Sequence, residues 1–146
     1  MKQHYDPGPL VFIEASQFYE DLANQVEDLS VRHGLIKVST VFQQLAGKVK
    51  QWMSSSHDTD VIHLIMSNWN NHFYQARVGN TSTPELSLLE QRLKIENEHL
   101  SELRSTYQLS KSEVEKRRVA DLIATYFDAI EVLKKLSNQA RSEHNA

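Results

Sequence analysis

Apolar residues recur along this chain at alternating steps of three and four, the spacing of one buried face on an α-helix. The first set is Val11, Ala15, Phe18, Leu22, Val26 and Leu29, and the second is Leu35, Val38, Phe42, Leu45, Val49 and Trp52. Gly34, with Asp28 and Ser30 before it as caps, predicts a short corner between two helices. Pro7-Gly8-Pro9 ends an irregular arm over residues 1–8, and the polar run Ser54-Ser55-Ser56-His57-Asp58 ends the second helix. Ile62, Ile65, Trp69 and Phe73 predict an extra helix within the segment 54–83.

Ser82-Thr83-Pro84-Glu85 restarts the pattern with a hydroxyl cap, an early proline and a glutamate three residues on. The third long stripe follows as Leu86, Leu89, Leu93, Glu96, Leu100, Leu103 and Tyr107. Ser110-Lys111-Ser112-Glu113 reads as a second capping box. It opens a last helix with Val119, Leu122, Ile123, Tyr126, Phe127, Ile130, Leu133 and Leu136 on its apolar face, before a tail over 138–146. No useful β-alternation competes. Short, long and short connections predict an all-α, four-helix bundle with one long crossover, in one domain over 1–146.

Composition narrows the function classes. A length of 146 residues is enough for one core, and 40% hydrophobic with 24% charged residues is an ordinary globular balance. The net charge of −3 argues against nucleic-acid partners, which need a basic face. The absence of cysteine removes thiolate metal sites, disulfides and cysteine nucleophiles. No run approaches the roughly 18–20 apolar residues that span a bilayer, and the N-terminus has no export signal. A cytoplasmic protein without a membrane partner is expected, and Asn80-Thr81-Ser82 then reads as a loop.

Glu96 is the one charge on its stripe. A buried carboxylate must be paired, hydrogen-bonded, protonated or metal-bound. It therefore reaches solvent at a seam edge, bonds a buried tyrosine such as Tyr19 or Tyr126, or belongs to a metal site. If it is buried without an ion partner, Glu96→Gln is tolerated. A di-metal site needs a Glu from each of two helices and a Glu-x-x-His from each of the others. The second helix holds no Glu and no His after His33, so the count fails and no catalytic, cofactor or metal residue is assigned. An atypical site would draw on Glu96, Glu14, Asp128 and His63, with iron or manganese.

The segments Phe18-Tyr19-Glu20-Asp21-Leu22-Ala23 and Phe42-Gln43-Gln44-Leu45-Ala46 resemble the first helix pair of the rubrerythrin-like branch of the ferritin-like superfamily. The resemblance covers about residues 10–53 and 85–137, with the second half looking like the same pair repeated. It implies di-iron ligands at positions that are Phe12, Val49, Trp52, Phe127 and Ile130 here, with only Glu96 kept. The metal site would then have become core, and Trp52→Ala would cost about 3–5 kcal/mol.

The remaining histidines read as solvated: His57, His63 and His72 are spaced wrongly for a ligand pair, and His99 points to solvent beside Glu98. His33 is followed by Gly34 and Lys37, whereas a phosphotransfer bundle places Lys and Gly three and four residues on. Trp69, Phe73 and Tyr74 form a candidate partner surface. Leu88, Ile95, Ile36 and Leu64, outside the main seam, suggest that two copies pair as a homodimer. The expected role is a non-catalytic binding or structural bundle. The alternatives are a di-iron or di-manganese oxidoreductase or storage protein with an atypical site, and a regulatory helical adaptor.

Overall fold

The computed structural model describes residues 8–55 and 85–144, and among them there is no strand. Four helices, α1 (Gly8–Ala23), α2 (Leu29–Ser55), α3 (Glu85–Leu109) and α4 (Glu113–His144), pack around one apolar core. No helix among the described residues is long and apolar enough to cross a membrane. Ser54 and Ser55, placed in the crossover segment, belong to α2, while the predicted extra helix, the rest of that segment and the Asn80-Thr81-Ser82 loop lie outside the described residues.

The first corner differs from the expectation. α1 stops at Ala23, where the Gln25 amide donates to the Leu22 carbonyl at 3.0 Å and tightens the chain. Val26 stays buried in the connection, and its carbonyl accepts from the Arg32 guanidinium at 2.7 Å. Asp28 alone caps α2, its carboxylate accepting from the Val31 amide at 3.1 Å. Leu29, expected on the first stripe, is 65% exposed. Gly34 is not at the corner. It lies inside α2, where an added Cβ would sit 2.5 Å from Leu136 Cδ1 and 2.9 Å from its Cγ.

That close approach predicts the effect of Gly34→Ala. Overpacking costs roughly 1–3 kcal/mol, against about 1 kcal/mol gained in helix propensity. We expect a net loss of about 1 kcal/mol in urea unfolding. In a Leu136→Ala background the same change should be neutral or stabilising.

The second cap also shifts. Ser112, not Ser110, opens α4: its Oγ accepts from the Glu115 amide at 3.1 Å, and Glu115 Oε2 accepts from the Lys111 amide at 3.3 Å. Ser110 follows the last residue of α3, is buried, and donates to the Thr106 carbonyl at 2.9 Å. The tail expected over 138–146 is helical through His144, because no Pro or Gly interrupts it. Gly8, assigned to the irregular arm, is already in α1.

Paired contacts give the helix directions. Phe12 meets Phe42 and Ser16 meets Ser39, so α1 and α2 run antiparallel. Gly34 meets Leu136 and Lys48 meets Asp121 at 2.9 Å, so α2 and α4 are antiparallel. Glu90 meets Arg141 at 3.2 Å while Glu96 meets Tyr126, which sets α3 against α4 in the same sense. α2 and α3 therefore point the same way, and the end of α2 and the start of α3 lie at opposite ends of the molecule.

Two further expectations change. Phe127 is 41% exposed and Tyr126 takes the inward position, one residue away from the predicted register. Of the residues proposed for pairing copies, Ile95 is buried and Leu88 is half-buried against the core. Ile36 stays exposed, and Leu64 lies outside the described residues.

Candidate functional site: a buried carboxylate cluster

α3 presents an inward face that is only partly apolar: Leu89, Arg92, Glu96, His99, Leu103 and Thr106 are all buried. These residues are three or four apart and so share one side of the helix. Thr106 can lie on this face because its hydroxyl returns to the Glu102 carbonyl at 2.9 Å. The expected stripe through Leu86, Leu93 and Tyr107 is rotated slightly, and these three are half-buried.

Glu96 sits at the centre with no exposure to solvent. Tyr19 of α1 donates its hydroxyl to Oε2, and Tyr126 of α4 donates to Oε1 at 2.5 Å while lying 2.8 Å from the Glu96 carbonyl. His99 Nδ1 is 3.1 Å from Oε1, so with an ionised carboxylate that nitrogen carries the proton. Arg92 places Nη2 3.6 Å from Oε2 and donates from Nε to the Tyr19 oxygen at 3.1 Å. Its guanidinium lies over the Phe18 ring, 4.4 Å from the centroid. One carboxylate thus joins three helices.

Aromatic rings wall the cluster. Tyr19 stacks on Phe42 with centroids 5.6 Å apart, and Phe42 meets Tyr126 edge-on at 5.8 Å. Burial pushes the Glu96 carboxyl up, but the His99 hydrogen bond, the Arg92 and His99 charges and the Tyr126 hydroxyl outweigh it. The group is held below the ordinary carboxylate range. Burial and the Glu96 charge together push the Tyr19 hydroxyl well above its ordinary value, against the pull of Arg92.

These directions fix the pH response. A lowered Glu96 value adds stability above the unfolded value of about 4.3, lost as pH falls through the folded one. The stability gap between the unaltered chain and Glu96→Gln should therefore narrow below about pH 4 in a urea series. A gap independent of pH would contradict an ionised Glu96. The raised Tyr19 value acts in the other direction, removing stability only above about pH 10.

The structure brings Tyr19, Glu96 and Tyr126 together, as the tyrosine-bonded alternative expects, and rules out the solvent-reaching one. It does not assemble the atypical metal set. Asp128 is exposed, Glu14 is half-buried, and no three His, Asp or Glu residues are grouped to hold a metal ion among the described residues. His63 and the partner surface of Trp69, Phe73 and Tyr74 lie outside the described residues. His99 is buried, contrary to the solvent-facing expectation, while its neighbour Glu98 is exposed. Arg92 escaped the sequence reading and His99 was turned to solvent by it, although their offsets of −4 and +3 from Glu96 were a usable signal.

The chain matches no known protein-family description, no curated protein and no solved structure.

Proposed function

We propose that the chain is a ferritin-like helical bundle that acts as a non-catalytic binding or structural protein, its centre closed by side chains in place of a di-metal site. The carrying observation is the saturation of Glu96: donors from Tyr19, Tyr126 and His99 occupy both its oxygens, and the Arg92 guanidinium neutralises it.

A pair of divalent cations does not fit such a centre. The cations would meet a guanidinium 3.6 Å from Glu96, the one buried carboxylate among the described residues, and each would need several more oxygen or imidazole ligands. The ligand positions implied by the family resemblance support the same reading, since Phe12, Val49 and Ile130 are buried apolar residues. Trp52 is half-buried and Phe127 faces outward, so neither fills the former metal space. The helix directions also support a ferritin-like order, which has one long connection between parallel second and third helices.

Metal analysis of protein purified without chelator tests this. The expected result is iron and manganese far below one equivalent per chain. A tightly held stoichiometric transition metal that disappears in Glu96→Gln would overturn the reading and favour the oxidoreductase or storage alternative.

A further inference from the structure

Where Gly34 meets Leu136, the backbones of α2 and α4 come close, and the side chains beside that contact wall a groove of about 650 Å³. Its polar walls carry Ser30, His33 and Lys37 from α2 and Lys134, Lys135 and Asn138 from α4. Three ammonium groups face one carboxylate, Glu131, which gives the groove an excess of positive charge in a chain whose net charge is −3. Lys48 and Arg141 each pair with a carboxylate on a neighbouring helix. By contrast, Lys37, Lys134 and Lys135 make no side-chain hydrogen bond or ion pair among the described residues.

We propose that this groove is a binding site for a small organic phosphate. Ammonium groups bind phosphate as point charges, and hydroxyl and amide side chains add directed hydrogen bonds. The helix terminus has no part in this, because Asp28 already caps α2 and its carboxylate repels an anion there. Val132 and Leu136 supply an apolar floor for a carbon skeleton. No Phe, Tyr or Trp ring lines the groove, and the small imidazole of His33 is the one ring there, so the walls lack the broad stacking platform of a nucleobase site. The volume lies within the roughly 300–1,000 Å³ range of small-molecule sites and is too large for a bare inorganic anion to fill. A dianionic phosphate monoester matches both the charge excess and the space.

The full-length chain is titrated with glycerol 3-phosphate, inorganic phosphate and citrate, following backbone amide shifts. The expected result is saturable shifts confined to residues 30–37 and 131–139, with glycerol 3-phosphate the tightest of the three probes. Lys37→Gln combined with Lys134→Gln should weaken it by at least about tenfold. Lys48→Gln, on a pair elsewhere on the surface, should leave it unchanged. All three lysines are half-buried or more exposed, so these variants keep the fold. Shifts that do not saturate, a paired variant that binds equally well, or a Lys48→Gln loss of equal size would each overturn the proposal. Tighter binding of citrate would overturn its phosphate assignment. The readout does not involve Glu96, so its outcome is separate from that of the metal analysis.

Discussion

Glu96→Gln should lower the unfolding free energy by about 3–5 kcal/mol, the range for removing one partner of a buried ion pair. The two side chains have nearly the same volume, so no cavity contributes. The cost arises in the partners that remain. Arg92 keeps its charge with a side chain only 5% exposed, and burial of an uncompensated cation is expensive. The glutamine amide also turns an NH₂ toward one set of donors, so Tyr19 on one side or Tyr126 and His99 on the other loses an acceptor. The tolerance expected for a carboxylate without an ion partner gives way to this, because the ion partner is present. Combining Glu96→Gln with Arg92→Met should recover the part of the loss that the uncompensated guanidinium causes. Urea unfolding of the singles and the pair measures the coupling, and an unchanged midpoint for Glu96→Gln would show that the pair contributes nothing.

Phe42→Ala should cost about 3–5 kcal/mol, and Trp52→Ala only about 1–2 kcal/mol. Phe42 is fully buried and touches Phe12, Tyr19 and Tyr126, so its removal leaves a void that three neighbouring rings cannot refill together. Trp52, near the end of α2, is half-buried with the Arg118 guanidinium 5.7 Å from its ring. Water already reaches it, and less is lost on truncation. Thermal unfolding of the two variants side by side separates the positions. Equal losses would mean that Trp52 plugs the interior as the family resemblance implies.

The helices were legible because leucine, valine and phenylalanine repeat at a period that leaves little choice. The stripe of α2 from Leu35 to Val49 is buried throughout. Boundaries were less legible. At residues 24–34 glycine suggested a break, but Gly34 answers to the bulk of Leu136, more than 100 positions away, which no local pattern contains. The inward side of α3 was partly hidden for a related reason: Arg92, His99 and Thr106 are polar, and hydropathy discards such residues from a core. Glu96 stood out only because leucines flank it on the same stripe. Its tyrosine partners were nameable from the first and last stripes, whereas Arg92 needed the helix turn before Glu96 to be considered as part of the same site. Tyr126 and Phe127 show the limit of register. Two adjacent aromatic residues satisfy the period about equally, and the hydroxyl decides which one turns inward.

The tyrosine donors also settle how far α3 can slide. A seam of leucines alone accepts displacement by one helical turn, since each step finds another leucine. Here such a displacement would bring Arg92 on one side, or His99 and Leu100 on the other, opposite the two phenols; Arg92 and Leu100 accept no hydrogen bond, and a neutral imidazole offers a single acceptor nitrogen for two donors. The lone acid therefore works as a dowel, and only one alignment of the rods lets it seat.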